Sequence, residues 1–89
     1  MVYHYRSGEE IRVGDRVYTQ NEKWGVVEQV IYPNSRASAD YDCPEGGVLV
    51  IEDWDGEENP ILFRAPEEDL SECFDFIGRA KSDNDKNIP

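Results

Sequence analysis

The chain has 89 residues, 38% of them hydrophobic and 11% aromatic, and carries a net charge of −11 from twenty acids and nine bases. That length allows one domain with a small core, and leaves little volume for the deep enclosed pocket of an enzyme. The acid excess speaks against direct nucleic-acid binding, which draws most of its affinity from Lys and Arg on phosphates, and the apolar content speaks against disorder through most of the chain.

Taken in order, Val2 to Tyr5 reads as a short strand with Tyr3 and Tyr5 on alternate positions, and Arg6 to Glu10 as a polar loop. In IRVGDRVYT, Ile11 and Val13 alternate with Arg12, Gly14-Asp15 turns the chain, and Val17 and Thr19 begin a core-facing strand. Trp24-Gly25-Val26-Val27 opens a longer strand through Val30, Ile31 and Tyr32. Val26, Val30 and Tyr32 cannot share one face with Val27 and Ile31, so either both faces are partly covered or a bulge sits near Glu28-Gln29. The stretch from Pro33 to Gly47 holds two prolines, two glycines and small polar residues, which predicts an irregular connection. Its length leaves a functional loop and a surface excursion pinned by Tyr41 about equally open.

The most informative stretch follows, from Val48 to Phe63. Two apolar runs flank Asp55-Gly56, a pair that supplies the positive φ of a hairpin turn. Pro60 donates no ladder hydrogen bond and is expected to open the second strand. Pro66-Glu67-Glu68-Asp69-Leu70 predicts one helical turn, with proline at its first position, three acids at the positive end of its dipole and Leu70 as its core contact. Cys73, Phe74, Phe76 and Ile77 make a last short strand closed by Gly78-Arg79. Residues 80–89 lack an apolar pattern until Ile88 and read as a disordered tail, so the expected domain is 1–79. The predicted core is Val13, Val17, Val27, Ile31, Val48, Val50, Ile61, Phe63, Leu70 and Phe76; a slip of one residue in the Val48–Ile51 run would exchange its share of that set.

Catalytic chemistry finds no support in these residues. His4 is the only histidine and sits between two tyrosines, so edge-strand packing accounts for it better than a Ser-His-Asp or Cys-His arrangement with its supporting network. Cys43 and Cys73 with one distant histidine are too few for structural zinc. Reading Asp53-Trp54-Asp55-Gly56 as part of a calcium loop would put Ile51 where a carboxylate is required. No cofactor is expected. The N-terminus shows no signal pattern and no apolar run approaches spanning length, so the expectation is a cytoplasmic protein with reduced thiols.

The order of elements resembles the SH3-like small β-barrel, over roughly residues 11–79. The resemblance rests on Gly14-Asp15-Arg16-Val17 opening one core strand, Trp24-Gly25-Val26-Val27 opening the next, and a one-turn helix before the last strand. It implies an all-β fold, a five-stranded, partly open barrel with an extra N-terminal strand and one short helical turn. More narrowly, the chain resembles small acidic bacterial proteins, some suspected to be immunity proteins encoded beside secreted toxins. Tyr3, Tyr5, Tyr18 and Trp54 are available as groove aromatics, but the ALYDY-like strand of proline-binding SH3 domains is missing.

Charge distribution supplies the functional expectation. Residues 37–79 hold thirteen acids against Arg64 and Arg79, while residues 1–36 are balanced at five against five. The expected binding surface gathers Asp40, Tyr41 and Asp42 from the long loop, Asp53, Trp54, Asp55, Glu57 and Glu58 from the hairpin, and Glu67, Glu68 and Asp69 from the helical turn. Trp54 either closes one end of the barrel, the commoner fate of such a residue, or stands as an anchor within the acidic rim. The leading expectation is a non-enzymatic inhibitor or immunity-type protein that binds a basic partner such as a nuclease toxin. The alternative is an SH3-like adaptor or accessory module that takes a proline-rich or uncharged segment.

Overall fold

The computed structural model describes residues 3–65 and 69–79. Its strands are β1 (Arg16–Thr19), β2 (Trp24–Ile31), β3 (Gly47–Trp54), β4 (Glu57–Arg64) and β5 (Phe74–Gly78), with short helices α1 (Arg36–Asp40) and α2 (Leu70–Cys73). All pairings are antiparallel and the order is β4-β3-β2-β1-β5, one open sheet. This is an all-β architecture compatible with an SH3-like small β fold.

Turn chemistry makes the β3–β4 hairpin. Trp54 pairs with Glu57, so Asp55-Gly56 is a two-residue loop. Both take positive φ, at 57° and 92°, the mark of a type I′ turn whose twist matches that of the strands. The Asp53 carboxylate accepts from the Gly56 N–H and closes the corner. Pro60 does not open β4. It sits mid-strand opposite Ile51, tolerated because β4 is an edge whose outer N–H positions need no partner.

Pleating sets the core. Val48 and Val50 point inward, with Val17, Val27, Ile31 and Phe63, and are sealed by Leu70, Cys73 and Phe74. Ile61 and Phe76 pack against this cluster from partly buried positions. Phe63 and Phe74 meet edge to face at 5.2 Å, tying β4 to β5 across the open side of the sheet. The bulge expected in β2 falls between Val27 and Gln29. Gly25 is needed where it stands: a Cβ there would meet Val50 Cγ1 at 2.8 Å.

Three further expectations are corrected. Val13 is 64% exposed rather than core. The chain turns here, with Asp15 N–H donating to the Arg12 carbonyl and Gly14 N–H to that of Val27, so strand alternation never reaches Val13; Ile11 and Tyr5 are buried instead. The N-terminal strand reduces to one isolated bridge between His4 and Glu10. The long connection contains a regular element, α1. Its prolines and glycines lie outside residues 34–43, and Ser35 caps the turn by accepting from the Ser38 N–H. A helical turn spans Leu70–Cys73 with Asp69 as its N-cap, and Pro66, Glu67 and Glu68 of the expected turn lie outside the described residues.

Candidate functional site

Two buried carboxylates hold the inner face. Asp15 accepts from the Tyr5 hydroxyl (2.7 Å), the Arg12 N–H (2.9 Å) and Arg79 Nε (3.0 Å). Arg79 also donates to the Glu10 carbonyl at 2.6 Å, which fastens the end of β5 to the N-terminal loop. Burial and the hydrogen bond to Asp15 push the Tyr5 hydroxyl far above the ordinary tyrosine range. Glu52, also fully buried, meets neutral donors: Trp54 Nε1 at 2.8 Å and Asn21 Nδ2 at 3.0 Å. Among the described residues, no buried side-chain polar atom lacks a partner. Both carboxylates thus have structural work in holding neighbouring elements together.

Among the described residues the expected acidic surface is not brought together as one patch; Glu67 and Glu68 lie outside them. Asp40 ends α1, and the Asp42 carbonyl accepts from Arg64, at the Gly47–Arg64 end of the β3–β4 ladder. Asp53, Asp55, Glu57 and Glu58 lie at the other end, roughly 23 Å along an eight-residue strand. Tyr41 is tied back to Gln29 through its hydroxyl, at 3.2 Å. The Asp69 carboxylate is engaged by the Ser71 N–H and hydroxyl. Trp54, 41% exposed, has its indole N–H on Glu52 and Lys23 Nζ 4.6 Å from its ring centre, which is the packing expected of a residue closing an end. Of the aromatics available for a groove, Tyr5 is buried and Tyr3 stacks on Tyr32, leaving Tyr18 against Trp24.

What Asp53 and Glu58 do border is a shallow groove of about 770 Å³ on the outer face of the sheet. Registers place Ile51, Val26 and Arg16 side by side across β3, β2 and β1. Trp24, two residues from Val26 on the same face, is 59% exposed; Ile77 of β5 is 50% and Val26 42% exposed. Glu28, Asp53 and Glu58 stand around this apolar floor, and among the described residues Arg16 is the only base lining it. Sequence reasoning missed Trp24, Val26, Ile51 and Ile77. The signal lay in β2, whose two faces both carry large apolar residues, but only the register shows that neighbouring strands extend the outer one.

Among the described residues no cluster of His, Cys, Asp and Glu is arranged to hold a metal ion, and no helix is long and apolar enough to cross a membrane. Cys43 and Cys73 are buried and not joined by a disulfide. Compared with family models, with curated proteins and with solved structures, the chain finds no match in any of the three.

Proposed function

We propose that this chain is a non-enzymatic binding module for a basic protein, acting as an inhibitor of the immunity type. One observation carries the reading: an exposed apolar groove framed by carboxylates on a molecule of net charge −11. Apolar floor supplies burial and the acids supply steering, the division of labour of a specific interface. A nuclease whose cleft is lined with Lys and Arg is the kind of partner such a surface fits, since occupying that cleft blocks nucleic acid from entering.

The experiment is capture from the native host at low and high salt, using the wild type and an Asp53→Lys/Glu58→Lys variant, with the retained proteins identified. A basic protein held at low salt, lost from the variant, and inhibited at one-to-one stoichiometry by the wild type supports the reading. Retention of the same proteins by the variant, at any salt, overturns it. The Tyr18–Trp24 pair, rings 4.8 Å apart at an edge-to-face angle, favours a second reading: an adaptor that stacks a proline-rich segment on these rings. That reading predicts binding insensitive to salt.

A further inference from the structure

We propose that the outer groove receives a partner segment that is cationic on one side only, with Trp24 as its anchoring contact. The inference rests on the basic-partner reading above and adds where the partner sits and with which charge polarity.

Three observations support it. Asp53 and Glu58 are cross-strand neighbours on the outer face, and neither makes an ion pair among the described residues. Like charges opposite each other in a sheet destabilise it, so the fold carries a repulsion that a ligand cation would relieve. Arg16, on the other side of Val26, likewise makes no ion pair among the described residues. Its guanidinium repels a segment that is cationic along its whole length, so the occupant is neutral or acidic where it crosses β1. Between these two charged sides stands Trp24. Its indole N–H has no hydrogen bond among the described residues, and it is more exposed than Trp54. A large exposed aromatic whose N–H is left to solvent, beside an apolar floor, is the kind of residue that dominates binding energy at interfaces.

A second copy of the chain is the competing occupant. Two molecules of charge −11 would have to approach face to face, with the rim acids outnumbering Arg16 on each. Charge therefore favours a basic partner over self-association.

The test uses two fluorescently labelled hexapeptides, Lys-Lys-Leu-Leu-Ser-Glu and Lys-Lys-Leu-Leu-Lys-Lys, with binding followed by anisotropy at low salt and sedimentation of the protein alone. The wild type is expected to bind the mixed peptide at least as tightly as the fully cationic one. Arg16→Ala should reverse that preference. Trp24→Ala should weaken the mixed peptide by about tenfold, the size expected on truncating an anchor. A Trp24→Phe variant, which keeps the aromatic bulk, should lose less. Asp55→Asn/Glu57→Gln at the hairpin tip should change binding by less than about twofold, as for rim charges outside the contact.

Basic-peptide binding that ignores Trp24 and follows the tip variant overturns the groove assignment while leaving the basic-partner reading intact. Binding of neither peptide overturns the basic-partner reading itself. A dimer that Trp24→Ala abolishes would give the groove to a second copy and overturn the inference.

Discussion

Trp54 and Trp24 stand at the same end of the sheet on neighbouring strands, and both are about half exposed. They differ in what their polar edges meet. Trp54 gives its N–H to the buried Glu52 and a ring face to Lys23, so both its polar edge and its π face have partners within the molecule. Trp24 packs edge to face on the Tyr18 ring, and its N–H has no hydrogen-bond partner among the described residues. Exposure alone does not separate a residue that closes a fold from one available to a partner; the state of its hydrogen-bonding group does. The same contrast holds between the faces of the sheet. Among the described residues, buried polar side chains inside are paired, whereas outside Trp24, Val26 and Ile77 lie open and Arg16, Asp53 and Glu58 make no ion pair.

If that contrast is sound, inner substitutions cost stability and outer ones cost binding. The largest effect is expected at Asp15. Asp15→Ala strands the Arg79 guanidinium and the Tyr5 hydroxyl, and should cost about 3–5 kcal/mol in urea unfolding, enough to unfold much of a domain this small. Next comes Glu52→Ala, which leaves Trp54 and Asn21 donors without their acceptor. It should cost about 1–3 kcal/mol and speed hydrogen exchange at the Trp54 indole.

Alkaline pH provides the third probe. A hydroxyl raised above its unfolded value keeps its proton in the folded chain after the unfolded chain has lost it. Stability is therefore full below the ordinary tyrosine value of 10.0 and falls as pH rises beyond it, by up to about 1.4 kcal/mol per pH unit for Tyr5. Absorbance titration near 295 nm should show the Tyr5 phenolate only as the chain unfolds. The smallest stability effect is predicted at the outer face. Trp24→Ala should cost less than about 1 kcal/mol, chiefly its edge contact with Tyr18. A loss as large as that of Glu52→Ala would make Trp24 structural and dissolve the comparison.

How much of this was legible in the sequence depended on the range of the interaction. Asp55-Gly56 declared its turn because the required φ is a property of the residues themselves. Counting apolar residues against a period of two put Val48 and Val50 in the expected core but left a one-residue slip open, and offered a bulge in β2 only as one of two alternatives; the register decides both. Val13 was misplaced because a three-residue turn ahead of β1 ends the alternation, and α1 was missed because breakers at the ends of a segment were taken to exclude a turn between them. The Asp15–Arg79 pair spans 64 residues and announces itself nowhere locally. For the candidate site, the hairpin acids were found from charge, but the groove beside them needed the lateral register of β1, β2, β3 and β5. The loop acids were joined to the hairpin acids by sign alone, and the length of β3 separates them.

The most direct test of the account follows the two indole N–H resonances of the unmodified protein during titration with the basic Lys-Lys-Leu-Leu-Ser-Glu peptide. The Trp24 signal should shift and become protected from exchange as the groove fills, while the Trp54 signal, already bonded to Glu52, stays in place. A titration in which Trp54 moves and Trp24 does not would contradict the account, and would return the binding surface to the hairpin tip.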